Sequence, residues 1–149
     1  MKILLVSDSH GNNEALDLLV KKHPDMDLYL HLGDSQTTPE QIRPFQTVKG
    51  NCDYFSDAPE YFMIKTDVGY LFACHKPPLQ SPNFFAENDI AIVCHGHTHK
   101  RRFEKIEKVL YINPGAISYA RDGNDLSYLI LNIKNQKVEH TFTYIHTNL

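Results

Sequence analysis

The sequence predicts an α/β domain built on two β-sheets, with helices on the outside and strands dominating the second half. Three features of the 149-residue chain carry this expectation. Runs at residues 2–7 (KILLVS), 27–32 (DLYLHL) and 46–50 (QTVKG) read as successive strands, and each ends in a small polar cluster. A helical period separates the first two. From residue 60 onward, strand-like segments follow one another with turn-like breaks, the mark of antiparallel pairing.

The first run is almost continuously apolar, as in a strand covered on both faces, and stops at Asp8. Asn12 is placed to cap a helix whose apolar positions Ala15, Leu16, Leu19 and Val20 recur at three- and four-residue spacing, closed by Pro24. The second run ends at Gly33-Asp34, and Thr38-Pro39-Glu40 then reads as an N-cap with proline in the first turn of a short helix. The third ends at Asn51. Segments 60–66 and 69–75, joined at Asp67-Val68-Gly69, form a predicted hairpin. Residues 76–89, with Pro77, Pro78 and Pro82, read as a loop with one helical turn, and IAIVC (90–94) as a buried strand. Strands at 101–106, 108–112, 126–133 and 137–145 complete the chain, the last two joined by Lys134-Asn135-Gln136. There are no repeats or low-complexity segments.

With 42% hydrophobic and 22% charged residues, residues 1–149 are expected to form a single domain with its own core. A net charge of -3 offers no basic excess for a nucleic-acid backbone, and the run Lys100–Arg102 is too short to change that. The opening residues MKILLVSDSH are too briefly apolar for a signal segment or membrane span, so a cytoplasmic protein is expected. Cys52, Cys74 and Cys94, without CxxC spacing, are expected to be free thiols.

The chemistry lies where the strands end. Asp8, His10, Asp34, Asn51, His75, His97 and His99, with His95 nearby, make a metal-ligand inventory, because ligands in open α/β sheets gather at the carboxyl ends of strands. Carboxylate and imidazole donors suit Mn²⁺, Fe²⁺, Zn²⁺ or Ni²⁺, and the lack of a thiolate cluster argues against a structural zinc site. The ligand count exceeds the roughly four of such a site and suits two ions about 3.5–4 Å apart, which activate a bridging hydroxide and hold a phosphoryl group. Taken singly, Asp8 and Asp34 also read as turn residues, His10 as a solvated loop residue, His31 as structural, and His23, His140 and His146 as solvated. The argument is the conjunction, in chain order, of DxH, GD and GN after the first three strands and GHxH after a further buried strand.

The motifs DSHG (8–11), GD (33–34), GNCD (50–53), the lone His75, GHTH (96–99) and NPGAIS (113–118) resemble those of the calcineurin-like metallophosphoesterases, and are most similar to the small bacterial and archaeal YfcE-type phosphodiesterases. The likeness runs from Met1 to the closing strand SYLILNI (127–133). It implies a four-layer αββα sandwich of two mixed sheets flanked by helices. It also implies a dinuclear site in which Asp8, His10 and His99 hold the first ion, Asn51, His75 and His97 the second, and Asp34 bridges both. Catalytic roles would fall to Asp34, Asn51 and His75, with Mn²⁺ the favoured metal and Ni²⁺, Zn²⁺ or Fe²⁺ the alternatives. On an extended chain His97 and His99 would share one side, with Thr98 facing away.

The chain also departs from the family pattern. Cys52 replaces the histidine of the commoner GNH, which removes an acid for the leaving group and favours a low-pKa leaving group. Lys76 replaces the usual glycine after the lone histidine. Asn51, Cys52 and Lys76 are the candidate substrate contacts, although Lys76 reads slightly better as a solvated loop lysine, and Arg101 and Arg102 are expected to face solvent rather than substrate. The implied activity is hydrolysis of a small phosphoester, most readily a diester. The alternative is a scaffold or a metal- or nucleotide-binding module on the same fold, as in relatives that build membrane-coat complexes. Exposed strand edges leave homo-oligomer formation open.

Overall fold

The computed structural model describes residues 1–118 and 125–145; His146 lies outside them. Among the described residues, ten strands form two five-stranded sheets. In chain order they are β1 (Lys2–Val6), β2 (Leu28–His31), β3 (Gln46–Thr47), β4 (Tyr61–Thr66), β5 (Gly69–Cys74), β6 (Ile90–Cys94), β7 (Arg102–Ile106), β8 (Val109–Asn113), β9 (Leu126–Lys134) and β10 (Lys137–Ile145). One sheet runs β10-β9-β1-β2-β3 and the other β4-β5-β6-β8-β7. Both are mixed: β1, β2 and β3 are parallel, as are β5, β6 and β8, while β9, β10, β4 and β7 pair antiparallel.

The alternation of β1 shows how the layers arise, since successive side chains leave a strand on opposite faces. Ile3 and Leu5 join Leu30 and Leu32 in facing Leu71, Ala73, Ile92 and Ile112 of the other sheet, which makes the central core. Leu4 and Val6 turn the other way and pack under Ala15, Leu16 and Leu19 of helix α1 (Asn13–Lys22). On the far side of the second sheet, Phe85 of α2 (Pro82–Glu87) covers Val93, Val109 and Tyr111. Helix, sheet, sheet and helix are the four layers expected. Among the described residues no helix is long and apolar enough to cross a membrane.

Local signals account for the helix ends. Asn12 accepts a hydrogen bond from the Ala15 N–H (3.3 Å), and Ser81 accepts one from Phe84 N–H (3.2 Å) with Pro82 in the first turn of α2. Thr38 and Gln41 exchange the two bonds of a capping box around the 3-10 turn Pro39–Ile42. Asn135 and Gln136 both adopt positive φ (52° and 61°), the twist a two-residue hairpin needs between β9 and β10.

The third strand is shorter than its sequence suggests, only Gln46–Thr47. The Val48 N–H still reaches the His31 carbonyl (3.1 Å), but the Lys49 N–H bonds to Pro59 (2.8 Å), so the chain has left the sheet before Gly50. At the opposite edges the sheets touch: the exposed His140 ring of β10 stacks on Phe103 of β7, centroids 3.5 Å apart.

Candidate metal centre

The parallel strands β1, β2 and β3 end on the same side as β5, β6 and β8, so the turns that follow them converge. Backbone bonds zip the first two turns together beyond the sheet: Asp8 N–H to Gly33 carbonyl (3.0 Å), His10 N–H to Asp34 carbonyl (2.9 Å) and Gly11 N–H to Ser35 carbonyl (2.7 Å). Gly96 N–H to the His75 carbonyl (2.8 Å) does the same after β5 and β6. All seven side chains singled out from the sequence meet there. The ligand atoms of Asp8, His10 and His99 lie within 4.8 Å of one another, as do those of Asp34, His75 and His97.

Asp8 is fully buried. Its Oδ2 accepts bonds from Ser7 Oγ–H (2.6 Å) and His97 N–H (3.1 Å). Its Oδ1 is buried with no hydrogen-bond partner, 3.4 Å from His99 Nε2 and 4.0 Å from both His10 Nε2 and His75 Nε2. A buried carboxylate oxygen left without a donor is costly unless a cation meets it, so this atom fits a metal ligand.

Asp34 reaches both groups. Its Oδ2 stands 3.2 Å from His75 Nε2 and 3.9 Å from His10 Nε2, while Oδ1 accepts the Cys52 N–H at 2.8 Å. Burial alone would raise its pKa, but hydrogen bonds from His75 and the Cys52 backbone outweigh that and hold the carboxyl at about 2. His75 Nδ1–H donates to the Leu32 carbonyl (2.7 Å), which turns Nε2 toward Asp34 and toward Asn51 Oδ1 (2.8 Å). Burial opposes charge on this ring, yet Asp34 and the Leu32 carbonyl raise its pKa, so a cation at Nε2 would displace a proton. Asn51 Oδ1 also lies 3.0 Å from His97 Nδ1.

The backbone obtains this convergence in a way the sequence did not announce. Asp8, His10, Asp34, His97 and His99 all have φ between 45° and 72°. Non-glycine residues visit that region at a cost of order 1–3 kcal/mol where strained, and such residues cluster at functional sites. The segment His97–His99 is therefore turned, not extended as expected: Thr98 N–H bonds back to Gly96 (2.9 Å), and the two rings diverge into different groups. Gly96 is required because a Cβ there would collide with Ser7 Oγ and Asp8 Oδ2.

Several supporting residues carried weaker sequence signals. Asp53 accepts backbone N–H bonds from Asp34 (2.8 Å), Gly50 (2.7 Å) and Gln36 (2.9 Å), tying the GD turn to the GN turn. Asn113 at the end of β8 donates to Gly96 carbonyl (3.2 Å) and Thr98 Oγ1 (3.0 Å), a role hinted at by its place before Pro114-Gly115. Gln36 Oε1 holds His10 Nδ1 at 2.6 Å.

His31 is fully buried; Gly33 N–H donates to Nδ1 (3.0 Å), which leaves Nε2–H to donate to Ser9 Oγ (2.8 Å). Burial, opposed by Asp53, pushes its pKa down to about 4, and burial likewise pushes His95 to about 4. The unfolded rings take up protons near pH 6.5, so this stabilisation is complete above pH 6.5 and is lost as pH falls toward 4. Thermal melts of metal-free protein are expected to drop across that window, less steeply in His31→Gln; an unchanged slope in the variant would exclude His31.

Three expectations need correction. Arg102 is only partly open to solvent: its guanidinium lies over the Tyr111 ring (4.6 Å), contacts His95 Nε2 (3.0 Å) and pairs with Glu104 (3.0 Å). Arg101 lies over Tyr144 (4.6 Å) and donates to the Asp125 carbonyl (2.9 Å). Planar guanidinium groups gain by covering an aromatic face, which solvation would forgo. His23 is hydrogen-bonded to the buried Tyr128 hydroxyl (2.7 Å), whereas His140 is exposed as expected while it stacks on Phe103. Lys76 is exposed, and it lines a cleft of about 770 Å³ together with Asn51 and His75. Cys52, Cys74 and Cys94 are free thiols.

Comparison with known proteins extends the likeness beyond the site. The chain is 34% identical over 145 residues to the probable metallophosphoesterase YsnB of Bacillus subtilis, covering 91% of this chain and 86% of that protein. It is 24% identical over 160 residues to the phosphodiesterase YfcE of Escherichia coli K12, covering 88% and 87%. A crystal structure of a predicted phosphoesterase from Streptococcus pneumoniae superposes with a TM-score of 0.83 at 25% identity, covering 99% of this chain and 94% of that one. A family model described as the calcineurin-like phosphoesterase superfamily domain matches residues 1–136, a span that holds every residue of the convergent cluster. The chain therefore belongs to the calcineurin-like phosphoesterase superfamily.

Proposed function

We propose that the chain is a metal-dependent phosphodiesterase acting on a small phosphodiester. One divalent ion would be held by Asp8, His10 and His99, a second by Asn51, His75 and His97, with Asp34 between them. The observation that supports this reading is the position of Asp34 Oδ2, 3.2 Å from a nitrogen of one group and 3.9 Å from a nitrogen of the other. When bound, two such ions supply a hydroxide nucleophile at neutral pH and neutralise charge on the phosphoryl group. The mixed oxygen and imidazole donors suit Mn²⁺, with Ni²⁺, Zn²⁺ and Fe²⁺ as alternatives.

The chain's own residues do the positioning. Asp34 stays ionised at any working pH, and the Cys52 N–H fixes the orientation of its carboxylate. The Leu32 carbonyl fixes the tautomer and direction of His75, as an outer hydrogen bond does for most metal-binding histidines. Asn51 stands at the open face, where its side chain can meet a phosphoryl oxygen. Burial, followed by Asp34, raises the Cys52 thiol pKa, so it is a poor proton donor and the preferred leaving group is one that departs unprotonated.

Cys52→Ala is expected to retain turnover to within about threefold, because alanine keeps the backbone N–H that orients Asp34. A much larger loss in steady-state kinetics would assign the thiol itself a role. The reading as a whole is tested on bis(p-nitrophenyl) phosphate and p-nitrophenyl phosphate, after stripping metal and restoring Mn²⁺, Ni²⁺, Zn²⁺ or Mg²⁺ in turn. Metal-dependent turnover, faster on the diester, is expected. Binding of two ions without turnover of either compound would instead favour the scaffold or binding-module reading.

A further inference from the structure

Beside the candidate cluster, and sharing Asn51 and His75 with it, the cleft of about 770 Å³ lies chiefly between residues 49–54 and 74–80. Its size falls within the roughly 300–1,000 Å³ of small-molecule sites. The walls are mainly apolar and flat: the rings of Tyr54 and Phe72 and the stiff run Pro77-Pro78-Leu79. Leu79 is 100% exposed and Tyr54 76%, an arrangement that leaves apolar side chains in water beside a reactive centre. Lys49 and Lys76 add positive charge. Of the two acidic residues lining the cleft, Asp53 is buried with its carboxylate engaged by three backbone N–H groups, and Glu60 is exposed, so the two lysines are the cations free to meet an anion there.

We propose that this cleft binds an aromatic, nucleoside-type substituent of the phosphodiester, against Tyr54 and the Pro77-Pro78-Leu79 wall, with Lys49 and Lys76 as cations for the phosphate. The proposal rests on the phosphodiesterase reading and narrows its substrate class to nucleotide-type diesters. Flat apolar walls suit a nucleobase, because every base has a π-face and base-aromatic stacking is worth about 1–3 kcal/mol. Continuity with Asn51 and His75 puts the substituent where a phosphate at the metal centre would carry it.

Two measurements test this. In equilibrium dialysis against metal-free protein, adenosine 5′-monophosphate is expected to bind at least about tenfold more tightly than ribose 5-phosphate, which lacks the base. Tyr54→Ala and Leu79→Ala, both at exposed positions where truncation does not threaten folding, should shrink that preference severalfold. Equal affinity for the two probes, or a preference untouched by both variants, overturns the cleft assignment. With metal restored, kcat/KM for thymidine 5′-p-nitrophenyl phosphate over that for methyl p-nitrophenyl phosphate should be about ten or more, and should fall in both variants. Preference for the nucleotide without turnover of either ester sinks the catalytic reading and leaves the cleft standing. Equal turnover of both esters without a binding preference sinks the cleft and leaves the catalytic reading standing.

Discussion

Asp34→Asn is expected to lower turnover of bis(p-nitrophenyl) phosphate by about 100-fold or more and to reduce the bound metal from two ions toward one. Asparagine keeps an oxygen for the Cys52 N–H and nearly the same volume, so the GD turn should survive. What disappears is the charge shared between His10 on one side and His75 on the other. Metal content of the purified variant separates this effect from simple loss of fold, which circular dichroism would reveal. Full activity with two ions retained would remove Asp34 from the bridging position. Because the wild-type carboxyl is held at about 2, protonation of Asp34 itself is not expected to limit metal loading between pH 4 and 6.

The convergence of the candidate residues was legible because each stands where an apolar strand gives way to polar residues, and parallel strands deliver such junctions to one edge. Neither the period nor the composition of the chain could show how the backbone turns there. Asp8, His10, Asp34, His97 and His99 adopt left-handed φ values, and an aspartate or histidine in sequence carries no mark of that conformation. Arg101 and Arg102 were misread for a related reason. Their aromatic partners Tyr144 and Tyr111 lie far along the chain or on a neighbouring strand, so local polarity suggested solvent where tertiary contact supplies a ring face. The short β3 reflects another distant partner, the Pro59 carbonyl that draws Lys49 out of the ladder.

Asp53 is the strongest case of a residue whose weight only the structure discloses, and Asp53→Ala is the second substitution with a large expected effect. Three backbone N–H groups, from Asp34, Gly50 and Gln36, converge on its carboxylate at 2.7–2.9 Å, in a position only 5% exposed. Alanine leaves these donors with no replacement acceptor at that position. An unsatisfied buried donor costs about 1–3 kcal/mol, so allowing for partial hydration the variant should lose roughly 3 kcal/mol in urea unfolding. The same bonds hold Asp34, which stands between the two groups, in register with the turn that carries Asn51. Metal affinity should accordingly fall about 10–100-fold although no ligand is altered, the usual penalty for losing an outer support. Asp53→Asn retains one acceptor oxygen and the side-chain volume, and should lie between the two in both measurements. If Asp53→Ala unfolds at the wild-type urea midpoint, the carboxylate is not what joins these turns. Normal stability combined with weakened metal binding would confine its role to aiming the ligands.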